Sequence, residues 1–420
     1  MKLCQAEQYD LVIVGAGMVG ASLACILDQA PAAQSLKILL VESSTIDLHA
    51  PPAQPSFDAR STVLSCGTVS YLKELGLWQA LEANAEAISR IHVSDQGNFG
   101  AVRMSSEEQG VAALGHVIEN RLLGAMFNQA LSNADNLETC SGVKVTGVRP
   151  AQDGMHLSLS SSEGQQEIST QLVVLAEGGR SGLCEKLGIH RETTSYGQEA
   201  VIANVAFSKA HDNVAYERFT ANGPLALLPL PDLDGQHRAA LVWTQKAGEA
   251  DPLKSLPDTA FLKLLQDDFG SRLGSFTRVG ERHSYPLSLV AADEQVRPGL
   301  VLLGNVAHSL HPVAGQGFNL AFRDTMRLAA ILISSHESGR SLGAIQPLQQ
   351  YLEQTRADQD KTADFSDYMT RLFSTQHPAA VWLRKFGLFS IDLVLPLRKA
   401  FADRAMGLAD TKVTLQGRAS

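Results

Sequence analysis

Between Asp10 and Glu42 the chain runs through an order of elements that few folds accept: apolar strand, Gly-x-Gly-x-x-Gly turn, helix, second strand, acid. In Asp10-Leu11-Val12-Ile13-Val14 the run from Leu11 has the unbroken apolar character of a parallel strand buried on both faces. Gly15-Ala16-Gly17-Met18-Val19-Gly20 follows at once, a helical stretch reaches Gln29, and Lys37 to Val41 ends in Glu42. Each part has a task in a dinucleotide half-site. Gly15 makes the tight turn, Gly17 lets a pyrophosphate approach the backbone, Gly20 lets the helix pack on the strand, and Glu42 accepts the ribose hydroxyls of an adenosine. The pattern predicts an α/β chain and a bound dinucleotide, nicotinamide or flavin.

Two later junctions have the same grammar. Leu172-Val173-Val174-Leu175-Ala176 is an apolar strand that runs into Glu177-Gly178-Gly179-Arg180-Ser181, and Leu300 to Leu303 is another that runs into Gly304 to Asn319, GNVAHSLHPVAGQGFN. Helical spacing from Leu320 to Ile333 makes the last of these a strand, a loop and a helix N-terminus, where backbone N–H groups and the positive dipole end favour an anion or an electron-rich ring. Two other readings of that loop stay open. His308 and His311 stand three apart as metal ligands on one helical face, with no third ligand at metal spacing, or the loop only joins a strand to a helix.

With 420 residues the chain has room for two or three domains, and 45% hydrophobic with 19% charged residues describes an ordinary globular composition. A net charge of −9 and the lack of any long basic run argue against a nucleic-acid surface. Cys4, Cys25, Cys66, Cys140 and Cys184 are scattered, with no zinc or redox spacing, which suits a reducing cytoplasm. No secretory leader and no apolar run of about twenty residues is visible, so a spanning helix is not expected.

Ile88 to Val93 and Gly100 to Met104 read as strands around an Asp95-Gln96-Gly97-Asn98 turn, and a helix resumes from Glu119 to Leu131. Arg60 follows a Ser, Pro and Ala-rich loop and suits a cofactor phosphate or a surface pair with Asp58; Arg121, in the first turn of its helix, suits a phosphate or a salt bridge to Glu119. Strands at Gly142 to Arg149, His156 to Ser160 and Glu167 to Thr170 form a meander. From Ala200 to Thr244 strands recur at short spacing without phosphate loops, a mostly antiparallel sheet assigned to substrate. Within it Gly223 to Pro229 is a greasy pocket wall or sheet core. Ser341 to Arg371 is a charged, solvated helix, and Ala379 to Leu397 an apolar one suited to packing or a subunit contact rather than to a membrane surface.

Taken together, GAGMVG with Glu42, AEGGRS at Ala176 and GNVAHSLHPVAGQGFN at Gly304 resemble the flavin-dependent aromatic hydroxylases over nearly the whole chain. Within that group the chain is similar to the ubiquinone-biosynthesis hydroxylases, closest to those acting on a 2-polyprenyl-6-methoxyphenol. His92-Val93-Ser94-Asp95, Val201-Ile202-Ala203-Asn204-Val205, Glu217-Arg218-Phe219-Thr220 and Gly223-Pro224-Leu225-Ala226 carry that closer likeness. The resemblance implies a Rossmann-like FAD-binding domain of the p-hydroxybenzoate hydroxylase type (residues 1–87, 115–185 and 285–335). It also implies an inserted antiparallel substrate domain (88–114 and 186–284) and a C-terminal helical region (336–420).

It further implies that Gly15, Gly17, Gly20 and Glu42 hold the ADP half of FAD, with Arg60 and Arg121 near the pyrophosphate and ribose. Asn305 would meet the ribityl chain, and Pro312, Gly315, Gln316, Gly317, Phe318 and Asn319 would edge the isoalloxazine ring. Two positions depart from the family pattern, where the middle and last motifs carry Asp: here they are Glu177 and Asn305. The implied chemistry is ring hydroxylation of a polyprenylated phenol with dioxygen. NADH or NADPH serves as a transient reductant, a flavin hydroperoxide delivers the oxygen, and no side chain stands out as acid or base. Expected partners are substrate, dioxygen, other ubiquinone-biosynthesis proteins and a second copy of the chain, with at most peripheral contact at a membrane. A flavin reductase or halogenase and a non-catalytic flavin-binding scaffold are the alternatives.

Overall fold

A computed structural model describes residues 3–47, 51–52, 60–97, 101–309, 315–374 and 413. Its central sheet follows from the apolar runs. Gln8–Val14 pairs in parallel with Ile38–Glu42 on one side and with Gly164–Leu175 on the other; Leu137–Ser141 and Leu300–Leu302 extend the sheet outward in the same direction. Leu11, Val12 and Ile13 are fully buried because helices cover one face and the meander the other. Met18–Asp28, Asn120–Ser132 and Gln316–Glu337 supply the helical layer.

Where the sequence suggested two strands at Glu167–Thr170 and Leu172–Ala176, there is one. Gly164–Leu175 is continuous, antiparallel to Gly154–Ser161 through its alternating first half and parallel to Gln8–Val14 through Leu172 to Leu175, which are buried on both faces. The periodicity changes because the burial changes, not because the strand ends.

Among the described residues the second sheet has nine strands, and Arg191–Phe207 lies in its middle, between His283–Ala292 and Gln236–Lys246; Gly223–Leu233, Val214–Thr220, Arg90–Asp95 and Ala101–Ser105 follow outward. Asp258–Phe269 covers its outer face through Phe261, Leu265 and Phe269. The inner face meets a three-stranded sheet of Ser61–Ser65, Gly115–Glu119 and Glu86–Ile88. The expected boundary at 285 falls inside His283–Ala292. Pairing with Arg191–Phe207 runs on to Ala292, so that strand stays with the second sheet.

The C-terminal helix Ile345–Ser374 is not simply solvated as its charge pattern suggested. Leu348, Tyr351, Thr355, Asp358 and Thr362 recur at helical spacing and are buried against Gln316–Glu337. The Asp358 carboxylate receives Arg323 through two bonds, at 2.8 and 3.0 Å, and Arg327 at 2.8 Å. Polarity in that stripe therefore marks a buried ionic contact. The segment Ala379–Leu397 lies outside the described residues, and no helix among those described is long and apolar enough to cross a membrane.

Candidate functional site

The three glycine-rich motifs meet at the C-terminal end of the parallel strands, which is where open α/β sheets take their ligands. Gly15 is left-handed, with φ +104°, and a Cβ there would stand 2.8 Å from the Glu177 Cα. At Gly20 a Cβ would stand 1.9 Å from the Gly15 carbonyl oxygen, so the helix can pack on the turn only without a side chain. Gly304 lies against Val19, closing the third motif onto the first. Gly17 begins the helix Met18–Asp28 in an extended conformation and gives it no side-chain cap.

Glu42 is 8% exposed and already bonded: one carboxylate oxygen accepts Ala16 N–H at 2.8 Å, the other Ser44 N–H at 2.8 Å and the Ser43 hydroxyl at 3.1 Å. It thus holds the glycine turn in place, and a carboxylate's remaining lone pairs leave capacity for a hydroxyl. Glu177 folds back on its own turn. Its Oε2 accepts the N–H groups of Arg180 and Ser181 at 2.8 and 3.1 Å, while Oε1 is buried without a partner among the described residues. Asn305 stands in the turn Gly304–Val306, with an exposed side chain that makes no hydrogen bond among the described residues.

The two arginines come together at the start of Asn120–Ser132, where Asn120 N–H bonds the Arg60 carbonyl. Arg60 places its guanidinium 4.7 Å over the ring of Tyr285, which belongs to the second sheet. Arg121 pairs with Glu119, the salt bridge that the sequence left as its alternative. Glu119 also pairs with Arg238 of the second sheet, at 3.3 Å.

In the last motif the residues divide. Pro312 and His311 lie outside the described residues. Gly315 is left-handed and sits against Val63, Gln316 is buried, Gly317 faces open space, and Phe318 packs on Phe322 with ring centroids 5.7 Å apart. Asn319 departs from the ring-edge expectation. Its side chain is fully buried, accepting Ser65 N–H and the Thr68 hydroxyl at 2.8 Å each and donating to the Val63 and Gly315 carbonyls at 2.7 and 2.8 Å. All four of its hydrogen-bonding positions are spent on fastening the helix to Ser61–Ser65.

The metal reading of His308 fails on geometry. His308 lies in a two-residue strand paired with His283–Ala292, not on a helix, and its Nε2 meets Asp324 Oδ2 at 3.0 Å. Among the described residues folding assembles one trio that no spacing in the sequence suggests, Cys4, Glu138 and Cys140, with the two sulfurs 2.7 Å apart. Glu138 is taken by Gln5 N–H and the Tyr9 hydroxyl, while the hydrogen bond to Cys4 and burial push the Cys140 thiol far up.

Of the candidate floor of the site, sequence reading caught only Ala226, within the Gly223 to Pro229 stretch read as pocket wall or sheet core. Ile202, Val242, Ala226 and Glu217 are register partners in successive strands of the second sheet, and all four are half-buried. Their strand neighbours Val201, Leu241 and Leu225 fill the outer core, so this row faces inward, toward the layer that contains Val63. The half-buried positions alternate with buried ones along each strand, and that alternation is the signal that could have located the row.

A family model described as an FAD binding domain matches residues 8–366. The ubiquinone hydroxylase UbiL of Rhodospirillum rubrum is 33% identical over 399 residues, covering 95% of this chain and 89% of that protein. The 3-demethoxyubiquinol 3-hydroxylase of Escherichia coli is 28% identical, over 95% of this chain and 98% of its own length. Among solved structures, the p-nitrophenol 4-monooxygenase PnpA of Pseudomonas putida DLL-E4 matches with a TM-score of 0.78 and 17% identity, over 97% of this chain and 100% of that one, a likeness of fold.

Proposed function

From the premise that this chain belongs to the FAD-binding domain family, as a flavin-dependent monooxygenase of the ubiquinone-biosynthesis type, we propose that it hydroxylates the ring of a polyprenylated methoxyphenol. The observation that carries this reading is the convergence of the three glycine motifs beside an inward, half-buried and mostly apolar row. FAD fits that end of the sheet: the helix start at Gly17 is uncapped, the Asn305 amide is exposed without a partner among the described residues, and space is open beyond Gly317. When bound, FAD supplies acceptance of hydride from NADH or NADPH and activation of dioxygen.

The chain's own part is to bind and to orient. Gly15, Gly17 and Gly20 would take the pyrophosphate at the helix N-terminus and Glu42 the adenosine ribose, with Asn305 and the backbone from Gly315 to Gly317 toward the flavin end. Arg60 stacked on Tyr285 ties the second sheet to the helix start, which fixes the distance between cofactor and floor. Ile202, Val242 and Ala226 keep water from the ring and present it flat. A polyprenyl tail dissolves in lipid, so the reading includes peripheral contact with a membrane surface.

Two measurements test it. The purified protein should be yellow and consume NADH or NADPH with dioxygen only when a prenylated 2-methoxyphenol is supplied. Cells lacking it should accumulate the unhydroxylated precursor, as read by mass. A protein that FAD cannot reconstitute, or absence of that precursor, refutes the reading.

A further inference from the structure

Of Ile202, Val242, Ala226 and Glu217 one is ionisable; His283, in register with Ile202 on the next strand, lies beside Glu281 at 3.7 Å. Glu217 stands between Ala226 and Val93 in register, with Ala215 and Phe219 before and after it on the same face of its strand, and both of these are buried in the inner apolar cluster. Among the described residues its carboxylate has no hydrogen-bond or ion-pair partner. A carboxylate placed on an apolar floor and left unpaired costs folding free energy, so its position calls for a ligand group that completes it.

A phenol supplies such a group. Oxygen transfer to an aromatic ring is an electrophilic attack, and a phenolate donates into its ring far more strongly than a phenol does. A neutral phenol bound away from water therefore gains reactivity by giving its proton to a base within hydrogen-bond reach. Resting on the hydroxylase reading above, we propose that Glu217 is the catalytic base that takes the hydroxyl proton of a neutral phenol lying on the Ile202–Val242–Ala226 row. The phenolic O–H bond breaks, the proton passes to a carboxylate oxygen of Glu217, and the electron pair stays on the phenolate oxygen. The proton then leaves to solvent, which restores the carboxylate.

The electrostatic setting agrees. Burial alone pushes the Glu217 carboxyl up to about 7, so it is mostly ionised by about pH 8 and is a stronger base than an exposed glutamate. The other titratable and charged groups on the facing surfaces are Asp95 on the neighbouring strand, His283 beside Glu281, Glu86 bonded by the Asn213 amide, Arg238 paired with Glu119, Tyr285 under Arg60, and the Cys66 thiol. None of them shifts Glu217.

The test uses the full-length holoenzyme, a short-chain prenylated 2-methoxyphenol and a ring-fluorinated analogue whose hydroxyl ionises more readily. In the unsubstituted enzyme kcat/KM should fall about tenfold per pH unit below about 7. Glu217→Gln should flatten that limb and lower kcat/KM about 10²–10⁴-fold on the parent phenol, with a smaller loss on the fluorinated one. Glu217→Asp should keep an acidic limb. Ultraviolet difference spectra of the bound phenol give a readout that needs no turnover: a phenol hydrogen-bonded to a carboxylate absorbs further to the red, so the shift should be larger with the unsubstituted enzyme near pH 8 than with Glu217→Gln. Equal shifts in both proteins, or an unchanged acidic limb in Glu217→Gln, overturn the proposal. A protein that shows the carboxylate-dependent shift but never hydroxylates overturns the hydroxylase reading and leaves the contact between Glu217 and the phenol standing.

Discussion

The side-chain oxygen of Asn319 accepts the backbone N–H of Ser65 at 2.8 Å, across 254 positions of sequence, and its nitrogen donates back to the Val63 carbonyl in the same strand. This pair of bonds sets the start of the long helix against Ser61–Ser65, and Gly315, next to Val63, is carried with it. Asn319→Ala strands a buried N–H and two carbonyls. Each stranded group costs about 1–3 kcal/mol, so the variant should lose roughly 3 kcal/mol or more of stability. Thermal melting should show the drop, and FAD content of the purified variant should fall with it. Unchanged melting with lost flavin would mean that Asn319 acts on the cofactor and not on the helix.

Asp358 is the point where the C-terminal helix meets its neighbour. Replacing it by Ala leaves Arg323 and Arg327 buried with their main partner gone, and breaking a buried ion pair from one side costs about 3–5 kcal/mol. The midpoint of urea unfolding should move accordingly. In a double-mutant cycle Asp358→Ala with Arg323→Met should cost less than the sum of the two, because the second change removes a charge that the first left unpaired. Additive losses would show that the pair is not coupled.

Much of the parallel sheet can be seen in the sequence because its determinants are local. Leu11 to Val14 and Leu300 to Leu302 are apolar at every position since both faces are covered, and the positive φ at Gly15 and Gly304 needs glycine whatever surrounds it. Asn319 and Asp358 are different. Each is polar in a helix, which alone reads as solvent, and only the partners Ser65 and Arg323, brought by the fold, turn them inward. Glu217 was hidden for a further reason: its meaning depends on register across four strands, and a shift of one residue would place it on the outer face. Glu42 could be located but not its bonding, because Ala16 and Ser44 reach it through backbone N–H groups that no side-chain pattern reveals.

Asn305 offers a contrast with Asn319. Its side chain is exposed and makes no hydrogen bond among the described residues, so Asn305→Asp disturbs nothing in the protein itself. Melting should stay within about 0.5 kcal/mol of the unsubstituted protein, as for other surface changes. A carboxylate accepts a hydroxyl's hydrogen bond at least as well as an amide oxygen, so FAD should remain bound. The added negative charge near the flavin end should disfavour a reduced, more negative ring and lower its midpoint potential, measurable by dye-coupled titration. Loss of FAD in this variant would show that the amide donor is required there.

Glu217 makes a last prediction, about stability, which does not depend on any substrate. Its folded-state carboxyl lies near 7 and its unfolded one at the ordinary 4.5, so between these values the folded chain holds a proton that the unfolded chain has lost. The stabilising difference is complete below about 4.5 and is lost as pH rises through 7. Above that the folded protein must keep an unpaired carboxylate on its apolar floor. Glu217→Gln removes the charge and keeps the shape, so the variant should melt higher than the parent at pH 8, by roughly 1 °C for each kcal/mol of relief in a chain of this length. At pH 4 the two should melt together, the parent side chain being neutral in both the folded and, mostly, the unfolded chain. A difference of the same size at both pH values would show that the amide gains by packing or hydrogen bonding, and that the carboxyl does not titrate near neutrality.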